Sequence, residues 1–406
     1  MMTMDSSLAT TDAILSNKTN NSLVIAMVAG EASGDTLGAD LIQELQRRYP
    51  SAKFVGIGGP KMQALGFESW YPMEMLSVMG FFEVLKSLRT LLKLRKELIS
   101  RLIELNPDVF IGVDAPDFNF TVERKLKEVS IPAIHYVGPS IWAWREKRLV
   151  KIKKSVSGVL VLFPFEPDYY HRYDIPVAYV GHPLARSRVK QLNRIAALQS
   201  IGLPKGVNAT AVLVGSRMSE IQQMTPVYMK VVAKLQSQFP KMHFVFPAVH
   251  AKAKEFILAS KQEFARDANI KIVLGNAAQV LEASSQALVT SGTASLECGL
   301  YELPMVISIK VHPISFAIMK RMATTKWFGL PNILAQKPLV VECIQGEANV
   351  ANIYSHMLDI IQNDQLRSRQ ISEFQSQYQS LNIEAAKLAS DAIQNWAKLP
   401  APANPT

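Results

Sequence analysis

Leu23–Arg47 reads LVIAMVAGEASGDTLGADLIQELQR, and its reading decides the fold. Leu23–Ala29 is an uninterrupted apolar run of strand length, the pattern of a strand buried on both faces. Gly30-Glu31-Ala32-Ser33-Gly34-Asp35 breaks the run, and Leu37, Leu41 and Leu45 then recur at helical spacing. A strand, a glycine-bearing turn and a helix start bring free backbone N–H groups and a positive dipole end to one spot, which suits a phosphate or a polar sugar face. The glycines at 30, 34 and 38 do not match the G-x-G-x-x-G dinucleotide spacing. On spacing alone, an ordinary first βα turn of an α/β domain reads the same way.

The 406 residues suffice for two or three domains, and 48% hydrophobic with 19% charged residues is a globular composition. The two cysteines, Cys298 and Cys343, lie far apart without metal-ligand spacing, which argues against a disulfide scaffold or zinc site and favours a reducing compartment. Residues 1–22 are polar and lack the apolar core of a signal peptide, so a frayed extension is expected there. No apolar run is long enough to span a bilayer. Lys and Arg number 44 against 34 Asp and Glu, a balance of +10 that calls for an anionic partner.

Strands are expected at Ala52–Ile57, Pro107–Val113, Pro132–Val137, Gly158–Phe163 and Val177–Val180. Between them, residues 80–105 form a long helical pattern with Phe81, Val84, Leu85, Leu88, Leu91, Leu92 and Leu98 on a broad apolar face. Lys86, Arg89, Lys93 and Lys96 stripe the opposite face, with Phe82 among them. A helix packed on a sheet with a solvated basic back would look so, as would an interfacial helix lying on an anionic bilayer. The apolar run Val78-Met79-Gly80-Phe81-Phe82 just ahead favours the second reading. Asp114, at the carboxyl end of Pro107–Val113, sits where open α/β sheets bind ligands, and it comes too early to cap the next helix as Asp117 or Asn119 would. Trp142 and Trp144 suit partial core or stacking on a ligand, and the basic run Arg145–Lys154 suits a solvated face or a phosphate. His182 closes the half-domain at a junction.

After residues 185–208, basic and then turn-rich, which read as a linker plus a helix, strands recur at Ala211–Val214, Phe244–Phe246, Ile270–Val273, Ala287–Val289 and Met305–Ile309. Two successive βα series imply two doubly wound domains facing one another across a cleft. Gly215-Ser216-Arg217 follows the first of these strands at a helix start, where an arginine is a natural clamp for a diphosphate. Ser291-Gly292-Thr293 follows the fourth and offers hydroxyl and N–H donors, with Glu297 one turn into the helix. No Asp-x-Asp pair occurs, so a diphosphate bridged to the protein by a metal has no ligands and no cofactor is expected.

Five uncommon blocks occur in order: A-G-E-A-S-G-D, V-D-A-P-D-F-N, Gly181-His182-Pro183-Leu184, S-G-T-A-S-L-E and L-P-N-I-L-A. Together they resemble lipid-A-disaccharide synthase, an inverting glycosyltransferase family of the two-domain GT-B type, from about residue 23 to 390. The resemblance implies an α/β, GT-B type fold: an extension over 1–22, an acceptor-binding domain over 23–185, a UDP-sugar-binding domain over 186–370, and a carboxy-terminal helix over 371–406 crossing back to the first domain. It implies transfer from UDP-2,3-diacylglucosamine to 2,3-diacylglucosamine 1-phosphate, giving a β-1,6-linked disaccharide and UDP. Asp114 would be the general base, with Glu31 as the second candidate carboxylate. Ser33, Gly34, Asn119 and His182 would face the acceptor; Gly215, Arg217, Ser291, Gly292, Thr293, Glu297 (on the ribose) and Asn332 would hold UDP. Val78, Met79, Phe81, Phe82, Val84, Leu85, Leu88 and Leu92 would meet acyl chains on the cytoplasmic face of the inner membrane, where the protein would sit peripherally, with a homodimer as a further partnership. A UDP-N-acetylglucosamine 2-epimerase, or a GT-B transferase with a soluble acceptor, shares most of these features but has no use for the 78–98 element. A basic RNA-binding protein would fit the charge, yet no aromatic strand motif supports it, so no nucleic acid is expected. A membrane scaffold without catalysis would leave Arg217 and Glu297 unexplained.

Overall fold

The computed structural model describes residues 22–76, 81–141, 148–188, 191–311, 316, 321 and 325–402, with backbone only for 81–88. The chain divides into two compact units, one running to Pro183 and resuming at Ile383, the other spanning Leu184–Asn382. Each is built on one parallel sheet.

In the first unit β1 (Val24–Ala29), β2 (Lys53–Ile57), β3 (Glu68–Ser69), β4 (Val109–Val113), β5 (Ala133–Tyr136), β6 (Gly158–Val161) and β7 (Val177–Tyr179) lie in the order β3-β2-β1-β4-β5-β6-β7. All six residues of β1 and all five of β4 are buried, as a central parallel strand covered on both faces requires. The chain runs outward from β1 through β2 to β3, then crosses to β4 on the other side of β1. Ala29 therefore pairs with Val113, and the residues just beyond them, Gly30-Glu31 and Asp114-Ala115, meet at the point where strand order reverses.

The helix Phe81–Leu105 buries Leu94, Leu98, Leu102 and Leu105 against the sheet. Leu92, expected on that apolar face, instead points outward and is 45% exposed. It lies two residues from Leu94, on the other side of the helix from the buried stripe. Val78 and Met79 lie outside the described residues, as do Trp142, Trp144 and Arg145 and the side chains of Phe81, Phe82, Val84, Leu85 and Leu88.

The second unit orders β8 (Ala209–Leu213), β9 (His243–Ala248), β10 (Ile270–Leu274), β11 (Gln286–Thr290), β12 (Met305–Ile309) and β13 (Val341–Ile344) as β10-β9-β8-β11-β12-β13, all parallel. Again the first strand is central and the reversal falls between β8 and β11. Helix Asp364–Leu381 stays with this unit, and Phe374 packs in its core. Helix Ala385–Ala397 belongs to the first unit and lies on helix Ala32–Arg48. There the buried Arg48 guanidinium donates to Glu44 at 2.8 Å, to Asp391 at 2.6 Å and to the Lys387 carbonyl. Among the described residues no helix is long and apolar enough to cross a membrane.

Two strands have no counterpart in the sequence reading, β3 and β13. Both are short edge strands with mixed exposure, and β13 carries Glu342 at its second position. That carboxylate accepts hydrogen bonds from the Phe328 and Gly329 N–H groups, a use that an apolar-run search cannot see.

Candidate functional site

A cavity of about 560 Å³ opens at the carboxyl ends of β8, β9, β10 and β11. Its walls come from the end of β9 at Pro247–Val249 and from the loops Val214–Arg217, Gly275–Ala277 and Ser291–Ala294, with Glu220 and Glu297 behind them. This is the strand-order reversal of the second unit, where open α/β sheets leave room for a ligand.

The loop after β8 turns at Gly215, whose φ of +107° an L side chain rarely adopts and whose missing Cβ would stand 2.7 Å from Glu220 Oε2. Glu220 uses that space: its carboxylate accepts from the N–H groups of Ser216 at 3.0 Å and Arg217 at 3.3 Å. The long helix Met218–Gln238 is thus capped by its own third residue, and Arg217 is set at its mouth. The Arg217 side chain is 81% exposed and touches Glu220 at 3.3 Å. An exposed pair of this kind contributes about 0–1 kcal/mol, so the guanidinium is available to a stronger anion.

The loop after β11 turns at Gly292, with φ +133° and open space where a Cβ would be. Helix Thr293–Leu300 starts there, and its first N–H groups have no acceptor within the helix. Ser295 closes the turn by donating through both N and Oγ to the Gly292 carbonyl, while Ser291 Oγ donates to the Phe328 carbonyl. Glu297 is half-buried on the cavity side, and burial raises its pKa above the ordinary carboxylate value. Beneath the floor the buried Tyr228 hydroxyl lies 2.7 Å from Ser308 Oγ and 3.2 Å from Thr290 Oγ1, tying β11 to β12.

The structure brings Gly215, Arg217, Ser291, Gly292, Thr293 and Glu297 together at this cavity. It does not bring Asn332 there. Asn332 is buried, accepts from the N–H groups of Leu339 and Val340 at 2.8 Å, and donates to the Val340 carbonyl and to Glu342. Its amide is saturated by its own surroundings, so the direct ligand contact expected of it is corrected to a scaffold role joining helix Leu330–Ala335 to β13. Two walls were not foreseen: Pro247–Val249 at the carboxyl end of β9 and Gly275-Asn276-Ala277 after β10. The Gly-Asn pair closing Ile270–Leu274 was the available signal, since both residues take positive φ.

In the first unit Asp114 and Glu31 stand at the β1/β4 reversal. Asp114 and Ala115 both have left-handed backbone, φ +55° and +44°. Such a pair costs on the order of 1–3 kcal/mol per residue and turns the chain sharply out of the sheet. Asp114 is partly exposed; its N–H donates to the Tyr136 carbonyl at 2.8 Å. Glu31 is exposed at the N-terminus of helix Ala32–Arg48, and Ser33 is exposed beside it. Gly34 is buried, with the Val113 carbonyl 3.5 Å from where a Cβ would be, so it serves helix–sheet approach. Asp35 is likewise structural, accepting from the N–H groups of Lys61 and Met62. Asn119, expected to face a sugar, is fully buried, and its Nδ2 donates to the Asp114 carbonyl at 2.8 Å. That expectation is corrected too: Asn119 sits behind Asp114. His182 is 9% exposed with Phe163 5.1 Å away, and burial lowers its pKa to about 4, so it is neutral at physiological pH. Among the described residues no group of three or more His, Cys, Asp or Glu could hold a metal ion.

The model of the lipid-A-disaccharide synthetase family matches residues 25–395. Lipid-A-disaccharide synthase from Hydrogenovibrio crunogenus is 55% identical over 373 residues, covering 92% of this chain and 99% of that one. The enzyme of that name from Enterobacter sp. strain 638 is 41% identical over 379 residues, covering 93% and 99%. Among solved structures, S. aureus MnaA with UDP superposes with a TM-score of 0.62 at 12% identity, covering 94% of this chain and all of that one. The glycotransferase of kitacinnamycin superposes with a TM-score of 0.57 at 15% identity, covering 92% and 99%. At such identities the structural likeness shows the fold alone: two parallel-sheet α/β domains of the GT-B kind.

Proposed function

The chain belongs to the lipid-A-disaccharide synthase family, and from that membership we propose how its two units divide the chemistry. It is a glycosyltransferase that forms the lipid A disaccharide from a UDP-sugar donor. In the proposed division the second unit holds UDP in the cavity at β8–β11, and the first supplies the base.

The observation that carries the donor assignment is the convergence on one cavity of Arg217, two helix N-termini and the half-buried Glu297. Arg217 and the Ser291-Gly292-Thr293 turn face the diphosphate, where positive charge and N–H dipoles stabilise the developing charge of the leaving UDP. Glu297 accepts hydrogen bonds from the ribose hydroxyls. In the first unit Asp114 takes the proton from the acceptor 6-hydroxyl as that oxygen attacks the anomeric carbon of UDP-2,3-diacylglucosamine. The carbon becomes oxocarbenium-like, UDP departs from the opposite face, and the product is β-1,6-linked to 2,3-diacylglucosamine 1-phosphate. A positioned base of this kind contributes on the order of 10²–10⁴-fold. Glu31, exposed beside Ser33 at the same reversal, bonds sugar hydroxyls, and neutral His182 lies at the end of that unit's first segment.

Both substrates carry acyl chains, so the enzyme works peripherally on the cytoplasmic face of the inner membrane. Helix Phe81–Leu105 supports this with a basic outer face, where Arg89, Lys93 and Lys96 are exposed together with Leu92. The test is to incubate the purified protein with the UDP-sugar and the 1-phosphate acceptor and follow disaccharide and UDP. Equimolar release of both supports the reading. Release of UDP without disaccharide, or epimerised UDP-sugar, refutes it.

A further inference from the structure

Val28 of β1, Gly112 of β4 and His135 of β5 stand side by side, since Val28 pairs with Gly112 and Gly112 with His135. Gly112 leaves a hole in this row. A Cβ there would lie 2.2 Å from Glu123 Oε1 and 2.9 Å from Asn119 Cβ, so two side chains one turn apart on helix Pro116–Glu128 fill the space. Glu123 Oε1 lies 2.7 Å from His135 Nδ1 with both residues fully buried, and the His135 ring stacks on Phe120 at 4.3 Å. Asn119 Nδ2 reaches past Gly112 to the Asp114 carbonyl at 2.8 Å and lies 3.5 Å from that of Val28. The cluster therefore lies two residues behind Asp114 and bonds to the backbone of the left-handed pair that aims it.

We propose that Asn119, Glu123 and His135 form a buried positioning cluster that holds the Asp114 carboxylate in its working pose. Asn119 makes the contact, and the Glu123–His135 pair keeps Asn119 from rotating. Their chemistry argues against simple packing. Asn119 Oδ1, Glu123 Oε2 and His135 Nε2 are each buried without a hydrogen-bond partner among the described residues. Each such atom carries a desolvation cost that three apolar side chains would avoid. A misplacement of about 1 Å at a reacting group costs roughly 10²-fold in rate. The cluster is thus set where a modest structural expense controls a large kinetic one.

The inference rests on Asp114 being the base, and the test separates the two. Asn119→Leu keeps the side-chain shape while removing the donor to Asp114. With circular dichroism and UDP affinity unchanged, its kcat is expected to fall by about 10²-fold with the donor KM within twofold. Adding Asn119→Leu to Asp114→Asn is expected to cost less than a further threefold, because two residues acting through one pose are not additive. Glu123→Gln, which keeps size and a hydrogen bond to His135, is expected to hold kcat within threefold, and Glu123→Leu to match Asn119→Leu. Should Asn119→Leu fail to fold, the Glu123 pair decides alone. A parent-like kcat in Asn119→Leu or Glu123→Leu, or a full 10²-fold further loss in the double variant, overturns the inference. If Asp114→Asn itself keeps activity, the assignment of the base has failed, whichever way the Asn119 variants behave.

Discussion

Replacing Glu297 by glutamine changes one atom of the cavity and separates binding from stability. Glu297 is a half-buried carboxylate lining the cavity, and burial raises its pKa. Burial therefore penalises the ionised form in the folded protein relative to the unfolded chain. Its folded pKa lies above the unfolded value, so the penalty is present above that value and relaxes as pH falls. Removing the charge is expected to leave the melting temperature equal to or above that of the parent. Binding should move the other way. A hydrogen bond to a charged acceptor is worth about 1.5–3 kcal/mol, and glutamine turns one of two acceptor oxygens into a donor. One such bond lost weakens UDP by about 10–150-fold at 1.4 kcal/mol per decade. Isothermal titration of both proteins across pH 5–8 reads this directly. Their Kd ratio cancels the nucleotide's own titration and isolates what the carboxylate contributes. A Kd within twofold of the parent at pH 8 refutes the assignment. A weaker Kd accompanied by a lower melting temperature refutes it too, since the loss would then be structural.

Asp114→Ala is expected to lower kcat by about 10²–10⁴-fold with UDP affinity retained, and Arg217→Ala to weaken UDP binding more than tenfold, both read by titration and steady-state rates. His182 titrates near 4, below its ordinary 6.5. The stability it contributes is complete above pH 6.5 and is lost as pH falls towards 4, about 3 kcal/mol in all at 1.36 per unit. Urea midpoints of His182→Gln should lack that acid slope. Replacing Phe81, Phe82 and Leu88 together by serine should reduce sedimentation with anionic vesicles while the melting curve holds; unchanged sedimentation counts against the membrane face.

The two parallel sheets were legible because their central strands, Val24–Ala29 and Val109–Val113, are continuous apolar runs. Ligands in such folds bind at strand ends, so the placement of Asp114, Arg217 and Ser291–Glu297 just beyond strands could be read from the apolar runs before them. The roles proposed for Asp114 and Glu297 came from the family resemblance. What stayed hidden depends on tertiary accounting. Asn332 and Asn119 look like ligand-binding amides in sequence, yet their hydrogen bonds go to neighbouring backbone and, for Asn332, also to Glu342. Nothing local announces that. Likewise β13 hides because Glu342 interrupts it, and the cavity wall at Gly275-Asn276 is a turn signal whose neighbours only the sheet order reveals.

The most direct test is a crystal structure of the protein with UDP. The diphosphate is expected against Arg217 and the Ser291-Gly292-Thr293 turn, with the ribose hydroxyls on Glu297. Nucleotide bound in the first unit, or in the second with these side chains untouched, would contradict it.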